Sequence, residues 1–307
     1  MMSQTVPQRP GLLNWSILCF LGLIWGASFM SIRVALDGAG PLSIAAIRLA
    51  IGAAILLLAM RLMGQHLPAF SQRRLWLCIL GMGLFTNAVP FTLLGLSIQY
   101  VPSAFAGITM AAIPLLVLPL AHLFVAGETL TTHKTVGFIM GFVGVLILIG
   151  IGDLFTGDSL ILARLGCIAA ALCYALGSII TRIAPPSHPI VFSAAGLLVG
   201  AAVMVPIAAA LEGAPTAITA DSLVALIYLG VGPTALATIL LVRVIKTAGP
   251  SFMSLVNYQV PVWSVIFGVL ILSETLPGNF LTALALILAG LALSQSGQKR
   301  LGRYPTA

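Results

Sequence analysis

The chain runs as long apolar stretches separated by short polar breaks, and the stretches are continuous rather than alternating at every second position. A bilayer core takes about 20 consecutive apolar residues per helix. Ten runs meet that length: 14–36, 42–63, 74–98, 102–125, 134–152, 160–183, 189–211, 221–243, 250–272 and 278–296. Spanning strands would show apolar and polar residues in strict alternation, so a barrel is excluded. The connections are too short to fold as separate soluble domains. The first run exceeds a signal-peptide core, and Arg9 makes only a thin basic leader, so that run is expected to be retained. The pattern predicts an all-α integral membrane protein of ten transmembrane helices.

Composition removes the competing classes. Of 307 residues 60% are hydrophobic and 7% charged, with a mean hydropathy of +1.15, whereas a soluble domain carries about 25% charge. The net charge of +7 would matter for nucleic acid only as a clustered stripe. Here the basic residues stand apart, except at Arg73/Arg74 and Lys299/Arg300, so no nucleic-acid partner is expected. Cys19, Cys78, Cys167 and Cys173 lie inside apolar runs as small buried thiols. Neither they nor the histidines have metal-ligand spacing, so no metal and no cofactor are expected. No His-Glu-x-x-His, Gly-x-Ser-x-Gly or paired carboxylates occur, which argues against an enzyme.

Lys and Arg placement sets an expected orientation. With the N terminus in the cytoplasm, Arg9, Arg61, Arg73, Arg74, Lys134, Arg182, Arg243, Lys246, Lys299, Arg300 and Arg303 fall inside, and only Arg33 and Arg164 fall outside. An even number of spans returns the C terminus to the cytoplasm as well, in a multi-pass protein of the cell (inner) membrane.

The two halves overlay with an offset drifting from about 149 to about 146 positions. Trp25 to Arg33 falls on Tyr174 to Arg182, and Leu80-Gly81-Met82-Gly83 on Leu229-Gly230-Val231-Gly232. Pro102-Ser103 matches Pro250-Ser251, Pro114 matches Pro261, Glu128-Thr129-Leu130 matches Glu274-Thr275-Leu276, and Gly144 matches Gly290. Two five-span units are therefore expected, at 14–152 and 160–296. Because five is odd, the second would run through the membrane inverted, an arrangement found in transporters.

These residues carry a family resemblance. Pro114, then Gly127 to Leu130, then Gly137 and Gly144, repeated as Pro261, Ser273 to Leu276 and Gly290, resembles the EamA family of the drug/metabolite transporter superfamily. So does Ile24-Trp25-Gly26-Ala27-Ser28-Phe29 with Arg33 after it and Arg48 in the second span. The second copy departs from the pattern at Ser273, where the family usually has Gly, and at Ala283, opposite Gly137. The resemblance covers residues 14–296. It implies a ten-helix carrier with both termini cytoplasmic, a central cavity between the repeats, and export or exchange of small metabolites such as amino acids.

Transporter sites lie near the midplane, where Pro or Gly interrupts helices at matching repeat positions. Pro114 and Pro261 fit as helix breaks, though proline is also simply tolerated in membrane helices. Ser251, Ser254 and Tyr258 share a face of the ninth span with Asn257 and Gln259 on its flanks. Met110 is the repeat partner of Tyr258, on a face with Ser103 and Gly107. Trp25, Ser28, Thr86, Asn87, Tyr174, Ser178, Thr234 and Thr238 would complete a substrate cavity, or else join helices by hydrogen bonds worth about 0.6 to 2 kcal/mol each.

Arg48 lies within a span, where an arginine costs about 2.5 to 3.5 kcal/mol at the helix centre. It either snorkels outward, binds carbonyls, or meets a substrate carboxylate. Glu128 and Glu274 at span ends are expected to cap the following helix or face water, or to act as gates, rather than to relay protons. His122 is the lone candidate for proton coupling, so facilitated or exchange transport is expected over a proton antiporter.

The expected function is a secondary transporter of small molecules in the lipid bilayer, carrying neutral or aromatic amino acids or related compounds by alternating access. The alternatives are a drug or toxic-compound efflux carrier of the same family and, more remotely, a non-transporting receptor. Oligomeric state is not legible.

Overall fold

Backbone in hydrocarbon has no water to bond, so each apolar run must satisfy its own N–H and C=O groups, which a helix does. The computed structural model describes residues 11–125, 127–150, 159–215, 217–276 and 278–296. Arg9, Lys299, Arg300 and Arg303 of the charge argument, and the side chain of Ser251, lie outside the described residues.

Among these residues the fold is all-helical. The helices are α1 (Leu12–Ala35), α2 (Pro41–Leu62), α3 (Arg73–Ile98), α4 (Ser103–Phe124), α5 (Thr132–Ile149), α6 (Ser159–Ile183), α7 (Pro189–Leu211), α8 (Ala220–Ala248), α9 (Val256–Leu270) and α10 (Phe280–Ser296). The first eight are long and apolar enough to cross a membrane, whereas α9 and α10 are shorter, at 15 and 17 residues. The ninth run was expected as one helix over 250–272. It is instead split: one turn at Pro250–Met253, then an interruption at Ser254–Leu255. Leu, Val and Ile side chains such as Leu58, Leu77, Ile139, Leu162 and Val224 cover the outer helix faces, where acyl chains rather than water are their natural surroundings. The protein is a multi-pass membrane protein.

Helix α1 packs on α8 and α9, α6 on α3 and α4, α2 on α7, and α5 on α10. Glycine makes several of these approaches possible. A Cβ on Gly26 would lie 2.4 Å from the Cβ of Trp263, and one on Gly107 would lie 2.0 Å from Ser264 Oγ. The Gly22/Gly26, Gly137/Gly141 and Gly196/Gly200 pairs all face neighbours within the chain, so this small-residue spacing serves internal packing.

At one end of the bundle two carboxylates from distant parts of the chain cap helices. Glu212 accepts hydrogen bonds from the N–H of Leu42 (2.9 Å) and from the N–H (2.8 Å) and hydroxyl (2.7 Å) of Ser43, at the start of α2. Glu274 accepts from the N–H of Ser103 (2.7 Å) and Ala104 (3.1 Å), at the start of α4. Each places a negative charge on otherwise unpaired N–H groups at a positive helix end.

The turn that delivers Glu274 contains the one non-glycine residue at positive φ among the described residues, Ser273 at 54°. Its sequence counterpart Gly127 has φ 84°. A left-handed conformation costs an L-residue about 1–2 kcal/mol, partly offset by the greater freedom glycine loses on folding. Ser273→Gly is therefore expected to stabilise the protein by about 0.5–1 kcal/mol. The check is a melting curve in detergent, and an unchanged or lower midpoint would contradict the strain.

Candidate functional site

Two long helices contain wider, π-helical turns, Gly83–Ala88 in α3 and Gly230–Leu236 in α8. The first starts at the last residue of the matched segment 80–83, and the second starts within its counterpart 229–232. In each, a side chain donates to the carbonyl five residues earlier: Asn87 Nδ2 to Met82 O at 3.4 Å, and Thr234 Oγ1 to Leu229 O at 2.7 Å. Proline has no N–H to give, and Pro233 sits within the second wide turn, where its own carbonyl accepts from Trp25 Nε1 at 3.1 Å. Wide turns of this kind recur at functional sites because they redirect side chains.

Helix α4 and the ninth apolar run are interrupted as well. Residues 111–112 form tight turns, with Ala111 N bonding Ile108 O at 2.9 Å and Ala112 N bonding Thr109 O at 3.1 Å, and the helix restarts at Ile113 with Pro114 second. Across the start of α9, Leu255, Asn257 and Tyr258 likewise bond three residues back. Pro114, expected as a helix break, sits in the first turn of the restarted helix, directly after the interruption. The expectation needs correcting for Pro261, which is buried inside α9 while the interruption lies at Ser254–Leu255. Proline withholds a hydrogen bond from one carbonyl, but the chain tightens where the turn before it can accommodate the change.

Wide turns and interruptions surround one cavity of about 390 Å³. Of the residues expected at a substrate site, it brings together Trp25, Ser28, Asn87, Met110, Tyr174, Ser178 and Asn257, joined by Arg48, Thr86, Thr234 and Thr238. Ser254 and Tyr258 do not line it. Tyr258 packs partly buried against the apolar core, because the interruption before α9 rotates the start of that helix away from the face a regular helix would present.

Phe29, Ile32 and Leu94 close one end against buried Ile98 and Val101, the end capped by Glu212 and Glu274. At the other end, where α1 begins, Ser178 is exposed and Ser193 and Leu241 form the rim. Phe91, Ser193, Leu197 and Val260 were not singled out from the sequence, since apolar or lone serine positions in a membrane helix carry no pattern that separates cavity from packing.

Arg48 takes neither the outward snorkelling route nor backbone carbonyls. It is 6% exposed, its Nε donates to Thr234 Oγ1 at 2.7 Å, and its guanidinium lies 3.7 Å over the Phe91 ring. Thr86 Oγ1 is buried and unbonded among the described residues.

Glu274 caps α4 rather than the helix that follows it. Glu128 binds Lys134 at 3.2 Å and Arg182 at 2.5 Å near the open end, and its backbone carbonyl lies 3.1 Å from His122 Nδ1. The hydrogen bond from Lys134, with that from Arg182, holds the Glu128 carboxyl below the usual carboxylate range despite partial burial.

Residues 13–150 and 161–295 each match the EamA-like transporter family. The chain is 24% identical over 281 residues to the uncharacterized transporter YoaV of Bacillus subtilis, covering 89% of this chain and 93% of that one. It is 28% identical over 289 residues to the uncharacterized inner membrane transporter YedA of Escherichia coli K12 (91% and 89%), and 25% identical over 278 residues to protein PecM of Dickeya dadantii (89% of each). A crystal structure at 23% identity covers 96% of this chain and all of its own with a TM-score of 0.64, which shows a shared fold.

Proposed function

Because the chain belongs to the EamA-like transporter family, we propose that it is a secondary transporter that moves small amphipathic metabolites, neutral or aromatic amino acids or related compounds, by alternating access. As a member of that family it is a transporter and not an enzyme. The observation that carries the substrate reading is the cavity itself. It lies between helices of both matched segments and is lined by amide, hydroxyl and guanidinium groups together with apolar side chains, Phe29, Ile32, Leu94 and Met110 among them. A cavity that pairs an apolar wall with a few convergent polar groups suits a ligand with the same division.

In this reading the chain crosses the membrane ten times, α9 with its leading turn and α10 completing the count, as two five-helix repeats at 14–152 and 160–296. The helix pairings support this, since α1 with α8 and α9 corresponds to α6 with α3 and α4 when helices are shifted by five. Both termini lie in the cytoplasm of an inner-membrane protein, and the cavity opens to that side. The name of the YedA relative and the basic residues at the open end, Lys134 and Arg182 among them, support that placement. Rocking of one repeat on the other would release the end now capped by Glu212 and Glu274.

The test is uptake of radiolabelled leucine and tyrosine into proteoliposomes of the purified protein. Saturable uptake is expected, with Asn87→Ala raising KM about tenfold through loss of a hydrogen-bonding group and Tyr258→Ala leaving it nearly unchanged. Uptake that rises linearly with concentration, or an Asn87→Ala variant indistinguishable from wild type, would count against this site.

A further inference from the structure

Arg48 gives the cavity a charge that the protein does not balance. A guanidinium offers five N–H donors in a planar fork. Here Nε is committed to Thr234 Oγ1 at 2.7 Å and the ring of Phe91 covers one face at 3.7 Å. The terminal nitrogens meet no acceptor among the described residues, although the side chain is only 6% exposed. No Asp or Glu is among the described residues lining the cavity, so the site presents one buried cation without a counter-ion. Leu197, in the corresponding position of the other half, lines the cavity too and is apolar, so the charge stands on one side alone.

Resting on the reading of this cavity as the substrate site, and narrowing its preferred ligands from the amino acids to related compounds without the ammonium group, we propose that it selects organic monoanions: a carboxylate bound by the free fork of Arg48, attached to an apolar body lying against Ile32, Leu94 and Met110. The planar fork matches a carboxylate through two parallel hydrogen bonds. Thr234 and Phe91 fix the guanidinium in place, so little side-chain freedom is lost on binding. A zwitterion fits less well than the anion. Its ammonium, one carbon from the carboxylate, is repelled by Arg48 and finds only neutral amides and hydroxyls, such as those of Asn87, Asn257, Ser28 and Thr86, and no carboxylate among the described lining residues. A cation of the same skeleton has nothing to offset the arginine.

Three probes with one phenylethyl skeleton separate these cases: 3-phenylpropionate, phenylalanine and phenethylamine. Binding is measured by titration calorimetry on purified wild-type protein in detergent at neutral pH. 3-Phenylpropionate is expected to bind at least about tenfold more tightly than phenylalanine, with phenethylamine weakest. Arg48→Met should abolish the preference, and Arg48→Lys should keep the anion-first order at lower affinity, because it retains the charge and loses the fork. The wild-type ranking needs no variant, so misfolding of a substituted protein does not affect it. Phenylalanine equal to or tighter than 3-phenylpropionate in wild type would overturn the anion preference while leaving the cavity a substrate site. A preference that survives Arg48→Met would overturn the role of Arg48. Absence of binding by all three would overturn the substrate-site reading and the preference with it.

Discussion

Gly290→Val is expected to lower the fraction of properly folded protein sharply. A Cβ at Gly290 would lie 2.5 Å from the carbonyl oxygen of Gly137 and 2.7 Å from the N–H nitrogen of Gly141. The relation is reciprocal, since a Cβ at Gly137 would lie 2.5 Å from Gly290 O and 2.8 Å from Ser294 N. These neighbours are backbone atoms of two packed helices, α5 and α10, and no rotamer change can move them away. Relief requires the helices to separate, which would break contacts along their whole length. Such overpacking costs about 3 kcal/mol or more, a large part of a typical total stability. The measurement is the monodisperse fraction in size-exclusion chromatography, with Gly278→Ala as control because a Cβ there meets nothing within 4 Å. A Gly290→Val protein that elutes and melts like wild type would refute the close approach.

Glu274→Ala is expected to loosen the closed end of the cavity. The carboxylate supplies the acceptors for Ser103 N and Ala104 N at 2.7 and 3.1 Å, and it nestles where a Cβ on Gly268 would lie 2.4 Å from its Oε2. Removing it deprives two N–H groups at the start of α4 of their partner and leaves a space beside α9. Hydrogen bonds to a charged group contribute about 1.5–3 kcal/mol each, and partial hydration of the freed groups reduces the loss, so about 2–4 kcal/mol is expected. Val101, 4% exposed beside this cap, gives a local readout. In a background lacking the native cysteines, Val101→Cys should resist a membrane-impermeant maleimide, and adding Glu274→Ala should make it react. Equal reactivity with and without Glu274 would show that the cap does not hold this end shut. Glu274→Gln should recover only part of the protection, since an amide has one acceptor oxygen where the carboxylate has two.

The candidate site was legible to the extent that its residues were polar, aromatic or cationic within an apolar run. Trp25, Asn87, Tyr174 and Asn257 stand out in the sequence for that reason and converge on one cavity. Tyr258 stands out equally and does not line it, because a short tightened stretch before α9 changes the phase of the helix. A regular 3.6-residue period cannot anticipate such a shift, nor the wide turns at Gly83–Ala88 and Gly230–Leu236, since each depends on which carbonyl a nearby Asn or Thr takes. Glu274 was recognisable as a residue at a span end, but its partner lies 171 positions away.

By itself the sequence determined the membrane class, the all-helical content and the family. Hydrocarbon thickness and the need to satisfy every backbone polar group act on each run separately, so they are written locally in apolar length. Only the tertiary structure decided which faces meet the cavity, which end is closed and where the charge of Arg48 goes. Those outcomes depend on contacts between distant helices, Thr234 and Phe91 with Arg48, Pro233 with Trp25, Glu274 with Ser103. Such pairings arise from the packing of all the helices together, and no local period in the chain encodes them.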